Sequence, residues 1–182
     1  MIYYHGTIVS NLSKFEINLP NIGECIEPVN GIWLCSDING ASWHANRVKN
    51  IRDKEIGYVY EVEFFRHPLV IVNALDSKLS DEVYCSYLKS FSVWKRIFLS
   101  NSKWYYRFEK AANRKFKGHS DEKIRNEIIR ISLACGIDGI INPLVSLNID
   151  GTTNNHNDGV YGTTLLLINL NCKYSIKLVH TV

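Results

Sequence analysis

Tyr4-His5-Gly6-Thr7 sets an aromatic ring, an imidazole, a glycine and a hydroxyl side by side near the start of the chain. A strand there would favour β-branched residues in alternation, a pattern that His-Gly fits poorly. Taken alone, His5 reads as a hydrogen-bonded histidine near a chain end; a ligand-contacting role needs support from other segments. A second distinctive stretch runs from Ser86 to Gly118. There Lys89, Lys95, Arg96, Lys103, Arg107, Lys110, Arg114, Lys115 and Lys117 stand against Glu109 alone, although the whole chain carries a formal charge of only +3. Aromatics from Tyr87 to Phe116 interleave with these cations. Such a combination attracts a polyanion, single-stranded nucleic acid in particular. An amphipathic helical segment, rings inward and cations outward, explains the aromatics more simply but leaves the charge excess without a reason.

Other chemistries are disfavoured by spacing. The five cysteines, at positions 25, 35, 85, 135 and 172, are far apart and contain no C-x-x-C pair. Free thiols in a reducing compartment are expected, neither a disulfide frame nor a zinc site. The six histidines are equally scattered, so no metal is expected. With 182 residues, 46% of them hydrophobic, the chain suits a single domain over residues 1–182. No apolar run approaches the roughly 20 residues that span a bilayer, and MIYYHGTIVSNLSKF lacks the form of a secretory signal. The expectation is a cytoplasmic monomer with no membrane partner.

The elements that must position these residues are legible as alternation and periodicity. Strands are predicted at Ile2–Tyr4, Gly31–Cys35, Tyr58–Phe65, Leu69–Val72, Gly139–Asn142, Thr164–Leu170 and Tyr174–Val179. Helices are predicted at Asn39–Lys49, capped by Asp37 or Asn39, within Ser80–Lys117, and at Ser120–Cys135, stopped by Gly136. Asn148–Gly162 reads as a polar, glycine-rich loop. Together these elements predict an α+β fold.

The ordered set YHGT, GIWLCSDINGASWHA, GYVYEVEFF, GIDGIIN and a last apolar strand resembles the ADP-ribosyltransferase fold family, as seen in bacterial and phage members. The resemblance implies an ADP-ribosyltransferase-like split β-sheet core flanked by helices, with NAD as substrate and no metal. It places His5, Gly6, Thr7, Trp33, Ser36, Trp43 and His44 around NAD. His5 would hydrogen-bond the adenine-side ribose, and Gly6 would bring bare backbone to the nicotinamide amide. Trp33 stands at the family's first aromatic, and His44 replaces its usual tyrosine, so Trp43 is an alternative second ring beside nicotinamide. Ser36 would support the site or cap the helix that follows.

The family's final motif is not kept. A glutamate usually precedes the last strand and steadies the ribosyl cation, but here Thr164 takes its place, with Thr163 beside it. The last glutamate of the chain is Glu127, inside a predicted helix. Either hydroxyl could bond a ribose but could not balance charge. Asp158, in the preceding loop, is one candidate substitute; the acceptor's own charge is another. His5, Thr164 and Asp158 are thus the candidate catalytic residues. The related RNA 2′-phosphotransferases also lack the glutamate, yet their His/Arg set has no obvious counterpart here beyond His5. The implied function is mono-ADP-ribosylation of a macromolecule, as in a bacterial toxin, defence effector or phage protein. Nucleic acid is slightly favoured over protein as acceptor, and Lys95, Arg96, Lys103, Arg107, Arg114 and Lys115 would contact it. The alternatives are a catalytically weak or inactive NAD- or ADP-ribose-binding module and a nucleic-acid-binding protein on the same scaffold.

Overall fold

Alternating burial builds the strands, and the computed structural model describes them within residues 1–17, 19, 29–65, 69–89, 91–142 and 164–182. Among these residues lie strands β1 (Ile2–Thr7), β2 (Ile32–Cys35), β3 (Tyr58–Phe64), β4 (Ile71–Asn73), β5 (Gly139–Ile141), β6 (Thr164–Leu167) and β7 (Tyr174–Thr181). The helices are α1 (Ile38–Ile51), α2 (Asp81–Lys89), α3 (Val93–Ile97), α4 (Trp104–Lys115) and α5 (Asp121–Ala134). The α+β class follows directly, and every predicted strand has its counterpart. The predicted Asn148–Gly162 loop, with Asp158, lies outside the described residues, as does Thr163.

The seven described strands join one mixed sheet in the order β4-β5-β6-β2-β1-β3-β7. Only β4 and β5 are parallel, the pairing that the long crossover through α2–α5 allows. β1 pairs with β3 along its whole length, from Ile2↔Glu63 to Thr7↔Tyr58. β2 pairs likewise with β6, from Ile32↔Leu167 to Cys35↔Thr164. Between these two halves a single register pair, Tyr4↔Cys35, joins β1 to β2. The sheet is therefore narrowest between the strands that carry YHGT and GIWLC.

Side-chain alternation divides the core. On one face Tyr3, Leu34, Val62, Leu165 and Leu167 cluster with Phe15. The other face carries the helices: Tyr4 and Cys35 pack with Ala41, Ala45 and Val59 under α1, while Trp33, Leu166 and Ile140 pack with α4 and α5. Asp37 caps α1 by accepting the Asn39 N–H at 2.6 Å. Gly136, at a φ of +78°, takes the left-handed turn that ends α5.

The Ser80–Lys117 stretch resolves into three helices. Asn101 interrupts it by accepting the Leu79 N–H at 3.0 Å and donating to the Leu79 carbonyl at 2.8 Å. Its aromatics divide between the two sequence readings: Tyr87, Trp104, Tyr105 and Phe108 are buried, while Trp94 and Phe98 point outward. Glu127 binds Arg130 at 2.7 Å and Lys115 at 3.0 Å, fastening α5 to the end of α4. Its hydrogen bond from Arg130 outweighs burial and holds its carboxyl below the usual range. The last glutamate of the chain is thus committed to helix packing.

Candidate functional site

The seam between β1 and β2 is closed by a side chain. Beyond Tyr4↔Cys35 the two strands no longer pair, and His5 Nδ1 hydrogen-bonds the Trp33 carbonyl at 2.8 Å. A carbonyl can only accept, so Nδ1 carries the hydrogen and a neutral ring leaves Nε2 as an acceptor. Burial lowers the His5 pKa from 6.5 to about 4, the Trp33 bond opposes that shift, and the nearby charge of His44 adds to it. The ring is neutral at physiological pH. His5 and Phe15 meet in a T-shaped contact, with centroids 5.2 Å apart at 82°.

Helix α1 comes to the seam because Gly6 allows it. A Cβ at Gly6 would lie 2.0 Å from the Ala41 oxygen and 2.8 Å from the Ala45 nitrogen. The missing side chain is therefore explained by close strand–helix packing, a role distinct from the ligand contact expected from sequence. His44 follows on the same helix, within electrostatic reach of His5. Trp43 is 41% exposed, and the Arg47 guanidinium sits 5.2 Å from its ring centre. Thr7 is buried and accepts the Val9 N–H at 3.3 Å, turning the chain out of β1. Ser36 is exposed just before the helix.

Trp33 is partly buried on the helix-bearing face, where it packs against the α4–α5 core. Its ring thus serves the core as well as facing the layer that contains α1. Thr164 pairs with Cys35, which in turn pairs with Tyr4, so Thr164 lies one strand beyond β2. The Cys35 thiol is pushed up to about 11, by burial first and then by Asp37, and is therefore a weak nucleophile.

At the seam the His5 ring packs with Phe15 on the face of Tyr3 and Leu34, while Gly6, α1 with His44, and the Trp33 ring belong to the opposite face; Thr164 stands in the same sheet row as Cys35. The basic set lies elsewhere: Lys95 and Arg96 are on α3, while Lys103, Arg107, Arg114 and Lys115 are on or at the start of α4. No group of three or more His, Cys, Asp or Glu side chains able to hold a metal occurs among the described residues. Three residues packed against β1 lie outside the set singled out from sequence: Phe15 beside His5, and Ala41 and Ala45 beside Gly6. Phe15 carried no local signal, whereas Ala41 and Ala45, small residues four apart on a predicted helix, could have been matched to the glycine of β1. Comparison with protein-family models, curated proteins and solved structures finds no match.

Proposed function

We propose that this chain is a mono-ADP-ribosyltransferase that consumes NAD, releases nicotinamide and places one ADP-ribose on a macromolecular acceptor. The observation that carries the proposal is the neutral His5, clasped to the Trp33 carbonyl where β1 and β2 part. Its Nε2 is suited to accept a hydrogen bond from a ribose hydroxyl. Trp33, with His44 or Trp43 of α1, supplies rings for nicotinamide, and Thr164 supplies a hydroxyl for the second ribose. In the reaction the ribose–nicotinamide C–N bond breaks and its electron pair neutralises the nicotinamide nitrogen. The acceptor's nucleophile then bonds to the ribose carbon and releases its proton. Binding and orientation lower the barrier without a metal. Purified protein incubated with labelled NAD, mixed RNA and DNA, and cell lysate should release nicotinamide and transfer label to an acceptor. If no nicotinamide is released, the transferase reading falls.

Thr164 in place of a carboxylate favours a second reading, a module that binds NAD or ADP-ribose without turnover. Thermal stabilisation by NAD unaccompanied by nicotinamide release would select it.

A further inference from the structure

The most exposed apolar side chains sit amid the basic residues. Helix α3 buries none of its residues: Val93 is 68% exposed, Trp94 77% and Ile97 66%, and Phe98, its C-cap, is 83% exposed. Single exposed apolar residues are ordinary, but four large ones on a short segment mark an interaction surface. Trp94 and Phe98 border a hollow of about 400 Å³ together with Phe91, Leu99 and Lys95.

Helix α4 follows α3 after six intervening residues and carries its own exposed basic side. Its inner side buries Trp104, Tyr105, Phe108 and Ala112. Lys103, Tyr106, Lys110 and Arg114 recur every three or four residues and so share the opposite side. Tyr106 is 55% exposed, with Lys110 Nζ 5.8 Å from its ring centre. Three other cations of the stretch bond to groups of the protein. Arg96 donates to the Phe91 and Lys89 carbonyls, at 2.8 and 3.2 Å. Arg107 donates to Ser102 and Ser100, and Lys115 to Glu127.

We propose that the α3–α4 face binds single-stranded nucleic acid. Trp94 and Phe98 stack bases, while Lys95, Lys103, Lys110 and Arg114 take phosphates. Exposed rings beside a track of cations are what an unpaired strand offers contacts to on both its base faces and its backbone. A duplex hides the base faces that the rings would use. An anionic bilayer is the competing partner, because Val93 and Ile97 have no π-face to offer a base. Lys103, Lys110 and Arg114, however, are strung along the roughly 18 Å of α4 from its N-cap, and a five-residue helix gives little surface for lying in an interface. That the bound strand is the ADP-ribose acceptor rests on the transferase reading; binding itself does not, and is measured without NAD.

Fluorescence anisotropy with labelled oligo(dT) and oligo(U) of about 15 nucleotides tests the surface. Binding is expected near 50 mM salt, with weaker binding to a duplex of equal length. Trp94→Ala and Phe98→Ala should each weaken it on the order of tenfold. Lys110→Gln with Arg114→Gln should reduce the salt slope by about 1.4. These side chains are exposed, so circular dichroism should show the variants folded. Absence of binding at low salt, or unchanged affinity in the folded Trp94 and Phe98 variants, overturns the proposal. So does a tryptophan blue shift with phosphatidylserine vesicles but no response to the oligonucleotides.

Discussion

Replacing Gly6 with alanine adds one methyl group where the backbone leaves no room. The new Cβ would stand 2.0 Å from the Ala41 oxygen, 2.8 Å from the Ala45 nitrogen and 3.0 Å from the Ala41 carbonyl carbon. All three are backbone atoms of α1, so no side chain can rotate aside. Non-bonded heavy atoms rest near 3.5 Å, so α1 must retreat from β1 by roughly 1.5 Å. Overpacking costs about 1–3 kcal/mol where neighbours adjust; a backbone obstacle places Gly6→Ala at about 3 kcal/mol. For a chain of this length that lowers Tm by roughly 6–12 °C, readable by thermal denaturation. Adding Ala41→Gly should give no rescue, because the obstacle is the carbonyl oxygen and not the alanine methyl. A fall below about 2 °C, or full rescue by the second substitution, would refute the packing argument.

Three further outcomes follow from particular groups. Because burial lowers the His5 pKa from 6.5 to about 4, the unfolded chain takes up its proton first. The associated stability is present above pH 6.5 and is lost toward pH 4, about 2 kcal/mol of it between pH 7 and 5. Urea midpoints of wild type and His5→Gln should therefore diverge in their pH dependence; parallel curves would contradict this. Asp138 accepts the Val70 N–H at 2.9 Å and the Asn169 amide at 2.7 Å, so Asp138→Ala should cost about 3 kcal/mol in urea unfolding. A loss under about 1 kcal/mol would show that these bonds add little. Burial pushes the Cys135 thiol up to about 11, whereas Cys85 is exposed. Alkylation of the native protein, followed by peptide mass spectrometry, should mark Cys85 well before Cys135.

Much of the scaffold is legible in the sequence, because strand alternation and helix punctuation are local. The run YVYEVEFF predicts β3, Asp37 or Asn39 marks the start of α1, where the structure uses Asp37, and Gly136 predicts the stop of α5. The Tyr4↔Cys35 bridge is less accessible, since it depends on how far two strands diverge in space. Gly6 shows the same limit: its motif invites a ligand role, whereas the approach of Ala41 and Ala45 supplies a packing reason that local pattern does not reveal. The basic stretch shows a third. Its charge is plain from composition, but only side-chain geometry separates Arg96, Arg107 and Lys115, bonded to groups of the protein, from Lys110 and Arg114 on the exposed side of α4.

We propose that the seam held by His5 grips NAD for transfer. The most direct test is nicotinamide release by wild type and His5→Ala in the presence of acceptor, with NAD binding followed in parallel by calorimetry. Wild type should bind NAD and release nicotinamide, and a folded His5→Ala should bind weakly and release none. Equal turnover by the two proteins, or a wild type that neither binds NAD nor releases nicotinamide, would contradict the account.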